Sequence, residues 1–224
     1  MLFGIDETKY RVIDLSYKVT APGTEDRPLR AERGLLADDS TKHQVTTHTH
    51  VGTHIESPSH FFDDGKELDA YPLDRFYGPA VLFDFAGIDG EGVDGEKLER
   101  DIGDIMRPGR IVVFRNTHPD WRRIHGEDRK RLPYLNADGA RWLVDREAKM
   151  IVIDDFSGIR VADGKDSSRE NHAILMAPGV EMPLLEFPDG LERLSRREFF
   201  FMALPVRFAG LDSLWARAIA IEER

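Results

Sequence analysis

The sequence predicts an α/β protein, a layered mixed sheet with helices. Three observations carry this. Short β-branched or apolar runs alternate with capped helical patterns through the middle of the chain. Strand-like runs also lie at both ends, which predicts a partly antiparallel sheet. Finally, hydrophobic residues make up 41% of the 224 residues, a proportion typical of globular chains.

Residues 10–16 form the first predicted strand, with Val12, Ile13 and Leu15. Residues 18–41 carry Pro22, Gly23, Pro28 and mixed charge and predict a loop, as do residues 156–171. A second strand is expected over 42–50, where Val45, Thr46, Thr47 and Thr49 are β-branched. Residues 80–85 are a short apolar run that suits a buried strand. A helix follows over 94–102 with Asp94 as its N-cap. Pro108-Gly109 turns the chain into a strand at 110–115. Asn136 caps a helix running to about residue 148, with Ala140, Leu143 and Val144 on one face. Strands are then expected at 150–153, 197–208 and 216–222.

Composition excludes several functions. The chain has no cysteine, so neither disulfides nor thiolate metal sites exist. The net charge of −10 opposes polyanion binding. The basic cluster Arg122, Arg123, Arg129, Lys130 and Arg131 is broken by Glu127 and Asp128 and reads as a solvated loop, not a nucleic-acid surface. No apolar stretch is long enough to span a membrane, and residues 1–7 lack a signal-peptide layout, so the cytoplasm is the expected compartment.

Five of the eight histidines lie between residues 43 and 60, and four of them share the run His48–His60 with Glu56. Histidine and carboxylate bind borderline metals such as zinc and manganese, and histidine moves protons near neutral pH. Gly52, the β-branched neighbours and Pro58 argue against a helix here. A straight strand also fails, because His50 and His54 would stand roughly 13 Å apart, too far to share an ion. The chain must bend, and Gly52-Thr53 is where it can. The expectation is a strand ending near His50, a turn at Gly52, and a short extended arm to Pro58.

The run His50-Val51-Gly52-Thr53-His54-Ile55-Glu56-Ser57-Pro58-Ser59-His60 resembles the HxGTHxDxPxH signature of cyclase-type metal-dependent hydrolases, a family that includes kynurenine formamidases (arylformamidases) and isatin hydrolases. Six of the seven fixed positions match, with Glu56 in the place of Asp. The resemblance extends to Ile13-Asp14-Leu15-Ser16, to Phe61-Phe62-Asp63-Asp64-Gly65, to residues 133–154, to His172-Ala173-Ile174-Leu175 and to Met182-Pro183-Leu184-Leu185-Glu186, and so covers most of the chain.

The resemblance implies a swivelling β/β/α architecture. His50, His54 and Glu56 would hold one divalent ion, zinc or manganese. Glu56, His172 and Glu186 would hold a second, giving one or two ions per chain, and His60 would be the acid/base group. Alone, His172 reads as a packed histidine and Glu186 as a solvent-facing carboxylate. Glu181 rivals Glu186, but Met182-Pro183-Leu184-Leu185 matches the pattern flanking the latter. Ligands so far apart in sequence would have to meet, which favours a single domain over 1–224. The implied reaction is hydrolysis of a C–N amide bond, linear or cyclic, in a small molecule by metal-activated water, in a homodimer or homotetramer. Asp63 and Asp64 are candidate orienters of a histidine, although a turn suits them better. Phe61, Phe62, Tyr71, Trp121 and Trp142 are candidates for an aromatic pocket, with core or lid packing the blander reading. The alternatives are a cupin-like iron or manganese oxygenase and a non-enzymatic metal-binding protein with the same fold.

Overall fold

Three short apolar runs in the middle of the chain set the architecture. The computed structural model describes residues 6–24, 27–88, 90, 92–116, 132–153 and 165–224, with the backbone alone for 165–169. The three runs become β5 (Tyr77–Asp84), β7 (Ile111–Arg115) and β9 (Met150–Ile153). β5 pairs in parallel with β7, and β7 with β9. Parallel neighbours need crossover connections. The crossovers carry α1 (Gly95–Ile102) and α2 (Ala137–Asp145), each preceded by a two-residue strand, β6 (Gly92–Val93) and β8 (Tyr134–Leu135), which pair in parallel with each other. Both helices start where the sequence places them. The Asp94 side chain accepts from Lys97 N at 2.8 Å, and Asn136 from Gly139 N at 2.9 Å. α2 stops short of residue 148 because Glu147 takes a left-handed φ of 54°.

These strands are apolar on both faces because both are covered. Leu82, Val113 and Val152 point into one core cluster with Phe201 and Leu214. Val81, Phe83, Val112, Phe114 and Ile151 point into a second, which includes Leu98 of α1 and Leu143 of α2.

The sheet closes on itself. β4 (His54–Glu56) pairs antiparallel with β10 (Leu184–Glu186) on one side and with β12 (Ser213–Glu223) on the other. β10 runs parallel to β9, and β11 (Glu198–Pro205) joins β12 to β5. The order β12-β11-β5-β7-β9-β10-β4 therefore forms a barrel-like ring, with β1 (Tyr10–Asp14) attached to the far half of β12. The run of parallel neighbours from β5 to β10 is incompatible with the antiparallel jelly roll of a cupin. Among the described residues no helix is long and apolar enough to cross a membrane.

Several elements differ from expectation. The loop expected over 18–41 contains β2 (Arg30–Leu35), which pairs antiparallel with β3 (Thr41–Thr46) as a hairpin. Nearly every residue of both strands is exposed, so no apolar alternation marks them. β3 also ends short of His50. The loop expected over 156–171 is helical from residue 165, in α3 (Lys165–Leu175), and residues 156–164 lie outside the described residues. His172 is consequently helical. β11 ends before residue 208, and β12 begins before 216. The basic cluster at 122–131 and Trp121 lie outside the described residues.

Candidate metal centre

The site begins with the bend. Gly52 has a φ of 68°, in the left-handed region that glycine adopts freely, and a Cβ there would lie 2.4 Å from Val19 Cγ2. Past the bend the chain enters β4, where His54 and Glu56 share one face. β10 lies antiparallel beside it with Glu186 opposite His54. Ile55 and Leu185 point to the first core cluster, so His54, Glu56 and Glu186 occupy the other face, on the side where α3 brings His172. All four are at most 7% exposed.

Glu56 is the hub. Its Oε1 lies 2.7 Å from His50 Nδ1, 3.4 Å from His54 Nε2 and 4.0 Å from His60 Nε2. Its Oε2 is 3.9 Å from His172 Nε2, is buried, and accepts no hydrogen bond among the described residues. Glu186 Oε2 is 3.7 Å from His54 Nε2. His54 Nδ1 faces the Gly52 carbonyl at 2.8 Å. A carbonyl only accepts, so that nitrogen carries the proton and Nε2 presents its lone pair to the two carboxylates.

Charge follows this geometry. Burial pushes the Glu56 carboxyl up, but the imidazoles gathered around it, His50 first, outweigh that and hold the group far below the usual glutamate range. Burial lowers His54. It acts on His50 too, where the Glu56 and Asp212 carboxylates overcome it and raise the imidazole.

Among the described residues, three sets of donors each converge within 4.8 Å: His50, His54 and Glu56; Glu56, His172 and Glu186; and His50, His60 and Asp212. The nitrogen and oxygen donors, the lone pair of His54 and the orphaned oxygen of Glu56 fit a borderline divalent cation. Glu181 stands elsewhere, its carboxylate 3.0 Å from Lys66 Nζ. His43 is exposed on β3, and exposed His48 accepts the His50 N–H at 3.1 Å.

Sequence reasoning missed Asp212. Its Oδ2 lies 2.8 Å from His60 Nδ1 and 3.1 Å from His50 Nε2. Those hydrogen bonds hold its carboxyl below the usual range although burial pushes it up. Asp63 and Asp64, the candidate orienters, sit in a turn closed by Gly65 N and the Phe62 carbonyl.

Two rings flank the cluster. Phe61 stacks on His172 with centroids 4.4 Å apart, and Phe187 stacks over His54 at 5.8 Å. Phe187 has a φ of 54°, rare for a bulky residue, and Thr53 Oγ1 donates to its carbonyl at 2.6 Å. Arg27 lies over the Phe187 ring at 4.3 Å and donates to the His50 carbonyl. Phe62 packs against the second core cluster, Tyr71 lies in the first, and the Trp142 indole donates to Glu99.

Comparison with known proteins gives the family and the fold. Residues 13–158 match the Cyclase family model, described as "Putative cyclase". Cyclase-like protein 1 of Arabidopsis thaliana is 27% identical over 180 residues, which cover 77% of this chain and 66% of that protein. A kynurenine formamidase of Bacillus cereus is 25% identical over 176 residues, covering 79% of this chain and 78% of its own. Isatin hydrolase A from Labrenzia aggregata, solved bound to benzyl benzoate, superposes with a TM-score of 0.74 at 21% identity, covering 96% of this chain and 94% of that one. An isatin hydrolase bound to the product analogue thioisatinate gives 0.76 at 16% identity, with 97% and 94% coverage. At such identities the solved structures speak for the fold. The family match spans well over half of the sequence, and the chain belongs to the Cyclase family.

Proposed function

We propose that this chain is a metal-dependent hydrolase cleaving a C–N amide bond in a small molecule, either a linear aryl formamide or a cyclic amide or imide. The observation that carries the reading is the convergence of His50, His54, His172 and Glu186 on Glu56, a buried carboxylate with one oxygen that no described residue bonds. The relatives named formamidase and isatin hydrolase support the amide chemistry.

In this reading His50, His54 and Glu56 hold one zinc or manganese ion, and Glu56, His172 and Glu186 hold a second. Such ions supply a water of lowered pKa and polarise a carbonyl oxygen. The protein's own groups position the reactants and move the proton. His60 stands beside the ligands, its Nε2 4.0 Å from Glu56 Oε1, with 31% of its side chain exposed, so an incoming substrate can reach it. It takes a proton from the attacking water and returns it to the nitrogen as the C–N bond breaks, leaving an acid and a neutral amine. The faces of Phe61 and Phe187 suit a planar aromatic or cyclic substrate. A swivelling β/β/α topology, a homodimer or homotetramer and a cytoplasmic location complete the reading.

The test is a screen of zinc- or manganese-loaded protein against aryl formamides, lactams and cyclic imides. Turnover abolished by a chelator supports the proposal. Metal binding without turnover on any class would favour a non-catalytic metal-binding protein, and oxygen consumption would point to an oxygenase.

A further inference from the structure

One carboxylate beside the ligands has no part in the reading above. Asp212 lies just before β12, and its Oδ2 meets His60 Nδ1 at 2.8 Å and His50 Nε2 at 3.1 Å. We infer that Asp212 is a positioning residue that fixes the two imidazoles in opposite tautomers, His60 protonated on Nδ1 and His50 on Nε2. The inference rests on the hydrolase reading and supplies what that reading leaves open, namely what aims its acid/base group.

The chemistry follows from what a carboxylate can do. It only accepts, so each nitrogen facing it carries a hydrogen. His60 is then left with its Nε2 lone pair on the Glu56 side, where a water must give up its proton. His50 Nδ1 also faces a carboxylate, Glu56 Oε1 at 2.7 Å, and carries a proton there; an ion held by the first donor set would displace that proton and leave His50 protonated on Nε2 alone, against Asp212. Ligating histidines usually donate their second N–H to a carboxylate or carbonyl, which fixes the ring. A carboxylate behind a general-base histidine does the same and also steadies the imidazolium formed when the base takes its proton.

Asp212 is itself held. Its carbonyl accepts from Ser57 N at 2.8 Å and from Ser57 Oγ at 2.9 Å. The preceding carbonyl, of Leu211, accepts from Leu68 N, and the following residue, Ser213, pairs with Glu56 across β12 and β4. The carboxylate is thus fastened to the same short stretch that carries Glu56 and His60. Among the described residues, no hydrogen bond joins the carboxylate to a lysine or arginine. The rival role is that of a ligand, since His50, His60 and Asp212 are themselves a convergent set.

Nitrogen-15 NMR of the histidine side chains in zinc-loaded protein, at mildly alkaline pH, tests the tautomers. We expect His60 protonated on Nδ1 alone and His50 on Nε2 alone, with both signatures replaced by mixtures in Asp212→Ala. Zinc affinity should fall about 10–100-fold, the usual scale for a lost outer partner. The number of ions bound at saturating zinc should not change. On any amide that the wild type hydrolyses, kcat should fall about 10²–10⁴-fold with KM nearly constant. Asp212→Asn, close in shape, serves the same measurements if the alanine variant does not fold. A His60 proton on Nε2 in the wild type would overturn the inference, and so would an unchanged kcat. Loss of an ion at saturating zinc, as in His54→Ala, would make Asp212 a ligand instead. If the wild type hydrolyses no amide, the hydrolase reading falls, while the NMR spectra and the zinc titration still decide the role of Asp212.

Discussion

Replacing Glu56 by glutamine should distinguish a shared ligand from two independent ones. The two donor sets centred on the strands, His50-His54-Glu56 and Glu56-His172-Glu186, have only Glu56 in common. Its side chain is buried, and glutamine fills nearly the same volume, so the change removes the charge with little effect on packing. Each set then keeps two full donors. Loss of an outer partner costs a metal site about 10–100-fold, or about 1.4–2.7 kcal/mol. Loss of a direct ligand must exceed that for both ions at once. His54→Ala and Glu186→Gln each touch one set and should each remove one ion. Elemental analysis and calorimetric zinc titration after gel filtration should therefore read two ions in the wild type, one in each single-set variant and none in Glu56→Gln. Glu181→Gln, whose carboxylate pairs with Lys66, should read two. The reasoning is refuted if Glu56→Gln retains as much metal as His54→Ala.

Other variants probe the surroundings. His60→Ala should keep its metal and its circular dichroism while losing about 10²–10⁴-fold in turnover, measured on the first amide found to react. Gly52→Ala must place a Cβ 2.4 Å from Val19 Cγ2 at a φ of 68°. It should cost about 1–3 kcal/mol in urea unfolding and weaken zinc binding by displacing His54; a fully stable variant with normal zinc affinity would count against the bend. Glu222, remote from the site, takes hydrogen bonds from Arg11, Ser195 and Arg196. Burial pushes its carboxyl up, but those partners hold it below the ordinary glutamate value of 4.5. Its stabilisation is complete above that value and fades as pH falls through the lower folded one. Glu222→Gln should therefore cost about 2–3 kcal/mol at neutral pH, the scale of a buried charged hydrogen bond, and the gap should narrow in acid. An equal gap at pH 7 and at pH 3 would contradict this.

What could be read in the sequence was what short-range chemistry determines. Asp94 and Asn136 announce their helices because a cap bonds a backbone N–H three residues on. β5, β7 and β9 stand out because burial on both faces demands unbroken apolar runs. Gly52 was legible because metal geometry rules out a straight path from His50 to His54. β3 was legible as a strand from its β-branched residues, although it ends sooner than expected; its hairpin partner β2 was not, since exposure on both faces leaves no alternation to detect. Nor was α3, whose polar stretch Lys165-Asp166-Ser167-Ser168-Arg169-Glu170 has no apolar stripe. Asp212 was out of reach for another reason. It meets His60 across 152 residues, and nothing around Leu211-Asp212-Ser213 marks one aspartate among many. The placement of Glu186 opposite His54 likewise depends on strand register, which is a property of the assembled sheet.

The ring is joined at its narrowest point. β4 has three residues and β10 has three, yet β4 bonds to both of its neighbours and so carries the whole seam between β10 and β12. Two of those three residues, His54 and Glu56, are also donors, and a third donor faces them across the seam from Glu186. An ion gripped there would rivet the wall of the barrel as well as arm it. Chemistry and closure are thus vested in the same few residues. A substitution in this strand that silences the protein has two readings, a disarmed catalyst or an unfastened barrel. Telling them apart requires a measure of the seam itself alongside any rate.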